Sequence, residues 1–145
     1  MDLYDALQTS SSGLSAQRLR MNLISANLAN VNTTRTPEGG PYRRKEVVFE
    51  AKPNPGAFRD ALRAHQGKAP ADVRAAQIIE DTRPPAQKFA PQHPDADAEG
   101  YVRMPNVNVM EEMVNMISAT RSYEANVTAI RAAKDMALKA LEIGK

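Results

Sequence analysis

The sequence predicts a mainly α protein whose long N- and C-terminal helices pair as a coiled coil, with a small β-containing, Pro-rich insert between them that forms short strands or a hairpin. Two observations carry this. Apolar residues recur at alternating steps of three and four at both ends of the chain, and all ten prolines fall between those two stretches. The predicted organisation is a discontinuous helical unit, 1–36 with 105–145, as an inner core, and an outer insert, 37–104.

In the first segment, Leu3, Leu7, Ser10, Leu14, Gln17, Met21, Ile24, Leu28 and Val31 keep the coiled-coil spacing, with Asp2 placed to cap the helix. Ser10, Ser11, Ser12 and Gly13 are weak helix formers in a row, Gly costing about 1 kcal/mol relative to Ala. The first turns are therefore expected to fray, or to order when packed.

The middle segment holds prolines 37, 41, 53, 55, 70, 84, 85, 91, 94 and 105. Each fixes φ and removes a backbone donor, so neither helix can continue through it. Val47, Phe49 and Ala51 alternate with Val48 and Glu50 as in a half-buried strand, and Val73 to Glu80 offers a second strand. Gly56 to His65 offers a short amphipathic helix through Phe58, Ala61 and Leu62. Arg43, Arg44 and Lys45 read as a solvated strand edge that charge protects from mispairing.

The last forty residues contain the second stripe: Val109, Met113, Met116, Thr120, Tyr123, Val127, Ile130, Lys134, Ala137 and Leu141. Asn108 followed by Glu111 makes a capping box, so the helix starts there, and Gly144 suits its end. At about 1.5 Å per residue it would be roughly 50 Å long, more than a compact domain of this size needs. Such a stripe wants a partner.

Composition narrows the function. With 19 basic and 17 acidic residues the net charge is +2, too thin a margin to imply nucleic acid or a membrane surface. No cysteine is present, which removes disulfides and thiolate chemistry. The first 35 residues lack the succession of a cleaved signal, and no apolar run is long enough to insert in a bilayer.

No residue constellation predicts catalysis or a cofactor. Asp95, Asp97, Glu99 and Gly100 copy the start of a calcium loop, but the twelfth position is Asn106 and the ninth Arg103, so an Asp-rich turn releasing the chain into Tyr101 and Val102 is the expectation. His65 and His93 have no partner at metal-ligand spacing, no serine sits in a nucleophile elbow, and Gly39, Gly40 and Gly56 lack phosphate-loop context. Asn32 and Asn126 begin Asn-x-Thr triplets that helix-end use explains equally well. More informative are the amides Asn27, Asn30 and Asn32, and Asn106 and Asn108. They stand at helix boundaries, where they can bond free backbone groups or specify register.

Two motifs carry a resemblance. SANLANVNTTRT at 25–36 and NVNVMEEMVNMISATRSYEANV at 106–127 resemble the N- and C-terminal signatures of the bacterial flagellar rod and hook axial proteins. The positions matching those motifs are Asn27, Asn30, Asn32, Val107, Asn108, Glu112, Tyr123 and Asn126. The series PEGGPYRRKE departs from the Gly-Tyr turn of many relatives. The resemblance implies a structural, non-enzymatic rod subunit whose terminal helices form the inner layer of a torque-carrying helical tube around an export channel, the insert projecting outward. It further implies secretion by the flagellar type III export apparatus without a cleaved signal. The implied partners are other copies of itself, other proximal rod proteins and the rod-to-membrane-ring adaptor. Periodicity by itself stops at a helical protein that assembles with itself or a partner, and leaves a cytoplasmic coiled-coil adaptor or export chaperone as the alternative.

Overall fold

The structure, a computed structural model, describes residues 3–53 and 71–143. Two long helices flank a small antiparallel β region. In chain order the elements are α1 (Leu3–Ala29), β1 (Lys45–Pro53), β2 (Ala71–Glu80), β3 (Ala86–Phe89), β4 (Tyr101–Met104) and α2 (Val109–Ile143). The expected helix at Gly56 to His65 lies outside the described residues, as do the end signals Asp2 and Gly144.

Local chemistry explains both helix boundaries near the middle of the chain. Past Ala29 the Asn30 amide folds back, Nδ2 donating to the Ala26 carbonyl at 2.9 Å while Oδ1 accepts the Thr33 hydroxyl at 3.1 Å. The last turn of α1 thereby closes on itself. At the start of α2, Asn108 Oδ1 accepts from the Met110 and Glu111 amides at 3.1 and 3.4 Å, satisfying donors that the first turn leaves free. The Asn108 half of the predicted capping box is in place, without a bond from the Glu111 side chain back to the Asn108 amide.

β1 and β2 pair antiparallel from Lys45 with Glu80 to Pro53 with Ala71, with an irregularity between Val48 and Phe49. Opposite charges face each other across the ladder. Lys45 Nζ lies 3.4 Å from Glu80, and Arg74 Nε lies 3.8 Å from Glu50. A second antiparallel pair joins β3 to β4, Phe89 opposite Tyr101, their rings edge to face with centroids 5.3 Å apart. That pair was not foreseen as strands. The turn between them closes on Gly100, whose φ is +84°, and a Cβ there would sit 3.0 Å from the Phe89 ring and 3.2 Å from Pro91 Cβ. Glycine is required twice over, by conformation and by space.

The two helices run antiparallel. Asn27 meets Glu112 near one end, Met21 meets Thr120 beyond it, and Gly13 lies against Asn126 further along. By the same progression the last turns of α2 extend past the start of α1. The β1–β2 pair packs on α1 as well, with Gln8 Nε2 donating to Asp72 at 2.7 Å and the Val73 amide donating to Ser12 Oγ at 3.0 Å. The helix α1 thus contacts α2 on one side and the hairpin on another. The serine-rich turn, expected to fray or to order when packed, is continuous helix, and its Ser12 takes a strand amide that would otherwise lack a partner.

The packed stripe is narrow and built from small residues. Ala16, Ala119 and Ala133 are buried, and Gly13 lets the helices approach so closely that an added Cβ would lie 3.1 Å from the Asn126 amide oxygen. Ile24, Val47, Val102 and Pro105 are also buried. Of the predicted stripe on α2, Met116, Tyr123, Val127, Ile130 and Ala137 are half-buried, whereas Val109, Met113, Thr120, Lys134 and Leu141 are exposed. On α1, Ile24 is buried, Leu3 is exposed, and Leu7, Ser10, Leu14, Gln17, Met21 and Leu28 are half-buried, as is Val31 in the turn that follows. The inward face is set by small side chains that permit close approach, and larger apolar groups are left on the flanks.

Candidate functional site

Where α1, α2 and the base of the hairpin meet, the chain buries a polar cluster instead of an apolar core. Asn27 is 1% exposed and Glu112 0%. Asn27 Nδ2 donates to the Lys45 carbonyl at 2.9 Å and to Glu112 Oε2 at 3.0 Å. Its Oδ1 accepts the Lys45 amide at 2.9 Å and the Tyr42 hydroxyl at 3.0 Å. Every hydrogen-bonding position of this side chain is used, as burial demands.

Glu112 obtains its counter-charge from Arg44, whose Nε donates to Oε1 at 2.8 Å while its terminal nitrogen reaches Glu46 at 2.8 Å. Burial by itself would lower the Arg44 pKa. Hydrogen bonds to Glu46 and Glu112 outweigh it and hold the guanidinium above its ordinary value, so it stays charged. The Tyr42 phenol is pushed up, first by burial and then by the nearby Glu80 and Glu112 carboxylates against an opposing Lys45, which keeps it a donor to Asn27.

Arg44 corrects the reading of 43–45 as a solvated edge. Arg43 is exposed and Lys45 pairs with Glu80 on the strand, but Arg44 turns inward onto Glu112 with its side chain 14% exposed. Nothing in the local sequence separates it from its neighbours, because its partner is 68 residues away. Tyr42 was likewise unassigned.

The other motif positions divide by role. Asn30 and Asn108 terminate helices, Asn126 donates to the Ser122 carbonyl at 2.9 Å beside Gly13, Val107 and Tyr123 are half-buried, and Asn32 is exposed. The Asp-rich run forms the expected turn. Asp97 Oδ1 accepts the Glu99 and Tyr101 amides at 3.0 and 2.8 Å, and Asp95 accepts the Thr34 hydroxyl at 2.7 Å, so both carboxylates are bonded within the chain. His93 Nδ1 accepts the Asp95 amide at 3.1 Å.

A second feature lies on α2. Met110, Val114 and Ile117 are 71%, 64% and 56% exposed, and Met113, Met136, Leu138 and Leu141 are also open. Met110, Val114, Ile117 and Leu138 follow the helix on the side away from the small-residue stripe, with Met113, Met136 and Leu141 on its flanks.

The motif-bearing ends match known family models. Residues 7–35 match the model described as flagella basal body rod protein, and 98–143 match flagellar basal body rod FlgEFG protein C-terminal. Full-length similarity then decides between relatives. The FlgC basal-body rod protein of Borreliella burgdorferi is 46% identical over 152 residues, covering 99% of this chain and 98% of that one. Those of Bacillus subtilis and Escherichia coli are 46% and 42% identical, each covering 100% of both chains. The chain belongs to the FlgC family of flagellar basal-body rod proteins. A FlgC-family chain is a structural subunit of the bacterial flagellar basal-body rod, not an enzyme, and the adaptor or chaperone alternative is not favoured. The polar cluster is accordingly read as architecture: it joins three segments of a FlgC-family subunit. No helix among the described residues is long and apolar enough to cross a membrane.

Proposed function

We propose that α1 and α2, with their flanking segments 1–36 and 105–145, pair as a coiled coil in the inner layer of a helical tube that carries torque and surrounds the export channel. The insert 37–104 lies outside. The observation that carries this reading is the exposed apolar row Met110, Val114 and Ile117 on α2, together with Leu138 and Leu141 toward its end. Such side chains gain about 25 cal/mol per Å² when a neighbour covers them. Flanking helices in a tube are the natural cover, supplied by further copies of this chain and by other rod proteins, including the adaptor between rod and membrane ring. The flagellar type III export apparatus delivers the subunit.

In this scheme the predicted stripe residues have two duties. Half-buried Leu7, Leu14, Met21, Leu28, Met116, Val127 and Ile130 hold the pair together, and the exposed Val109, Met113 and Leu141 meet neighbours. Cysteine placed at Val114 or Ile117 should react readily with a polar maleimide in the dilute subunit and be protected in purified basal bodies. Cysteine at Lys88, on the exposed β3, should remain more reactive than either after assembly. Equal reactivity of Ile117→Cys before and after incorporation would remove the helices from the wall contacts.

A further inference from the structure

We infer that Arg44 is a latch: the base of the β1–β2 hairpin closes over the α1–α2 junction only when its cation reaches Glu112. Glu112 belongs to α2 and is buried completely where α1, α2 and the residues leading into β1 meet. Its two hydrogen-bond partners come from different segments, Asn27 from α1 and Arg44 from the residue preceding β1. Asn27 supplies a neutral donor. The neutralising charge comes from Arg44.

Apart from its contact with Glu112, Arg44 is tied to the hairpin. Its carbonyl accepts the Asp81 amide at 2.8 Å, continuing the ladder one step past the pairing of Lys45 with Glu80, and its guanidinium also holds Glu46 in β1. The adjoining Lys45 backbone exchanges both of its hydrogen bonds with the Asn27 amide. The strand base therefore arrives at the helix junction as one piece, bringing the cation and filling Asn27 together.

If the hairpin base closed over the junction without that cation, a carboxylate would be buried against an amide without a counter-ion. Stripping one member from a buried ion pair disfavours the closed state by on the order of a hundredfold to a thousandfold. Half-buried Leu7, Leu14, Met21, Leu28, Met116, Val127 and Ile130 favour pairing of the helices with or without Arg44, so what the cation decides is whether the hairpin base can close over Glu112. Seating of the hairpin base and burial of Glu112 consequently form one step. On the tube reading above, a subunit with its hairpin undocked is withheld from the wall; the latch itself does not depend on that reading.

The test uses spin-label distances in the full chain, free of other rod proteins. One label pair, at Arg18 and Glu124, reports helix closure, and another, at Ser15 and Lys52, reports hairpin docking; all four positions are exposed. The native background is expected to show one short distance for each pair. R44M should open the junction, lowering the population in which both distances are short by about a hundredfold or more. Adding E112Q should restore both short distances in the R44M background, because the buried group is then neutral, while E112Q by itself keeps both. Arg44 acting as ordinary packing predicts a double variant no more closed than R44M. That result, or both distances staying short in R44M, would overturn the latch.

Discussion

Replacing Asn27 with alanine cuts four hydrogen bonds at once, and the structure sets the size of the loss. Glu112 Oε2 loses a donor in a site that water does not reach, while the Lys45 amide, Lys45 carbonyl and Tyr42 hydroxyl are half-buried and recover part of their bonding from solvent. At about 1–3 kcal/mol for each buried polar group left bare, discounted for the partly exposed three, the expected destabilisation is about 3–5 kcal/mol. That is a large share of the 5–15 kcal/mol typical of a domain. Asn27→Asp should be worse than Asn27→Ala, because it sets a second carboxylate where the native contact to Glu112 is 3.0 Å and points an acceptor at the Lys45 carbonyl. Urea unfolding followed by far-UV circular dichroism gives both values. An alanine variant within about 0.5 kcal/mol of the native chain, or an aspartate variant no worse than alanine, would refute the reasoning.

Gly13→Leu should destabilise by about 1–3 kcal/mol in the same assay, since its side chain enters space held by Asn126, whereas Gly13→Ala combined with Asn126→Ala should stabilise by about 1 kcal/mol through helix propensity. The raised pKa of Tyr42 means the neutral phenol is preferred in the folded state; its contribution is complete below the unfolded value and is lost as pH climbs through the folded one. Stability should therefore fall above about pH 10, and Tyr42→Phe should lower stability at neutral pH while flattening that alkaline decline. Leu28→Asp and Val127→Asp place a charge in the half-buried stripe and should abolish incorporation into the rod, as read by basal-body immunoblot and swimming in soft agar. Normal incorporation of both would remove the stripe from the contacts that matter.

How far the sequence speaks for this fold depends on the range over which each signal acts. Helix ends were legible because Asn108 caps and Asn30 closes within a few residues of their own backbone. β1 and β2 were legible from Val47 and Phe49 alternation and from the run Val73 to Glu80. The inward face of α2 was harder to read, since periodicity ranks Val109 and Met113 as interior by size. The close approach at Gly13 selects Ala119 and Ala133 instead, and buries Glu112 one position from Met113. Arg44 was unreadable for a related reason: a cation is buried only with its partner, and the partner is far along the chain on α2. β3 and β4 have four residues each, too few for alternation to stand out, and depend on Gly100 and the Phe89–Tyr101 pair.

Whether this FlgC-family chain builds the rod wall from α1 and α2 with the hairpin outside can be read from a density map of the basal body, resolved well enough to follow the chain. Such a map should show α1 and α2 antiparallel on the channel side, Val114 and Ile117 covered by neighbouring helices, and β1–β2 on the outer surface, still joined to the helices through Arg44 and Glu112. A map with the hairpin lining the channel, or with Val114 and Ile117 facing solvent, would contradict it.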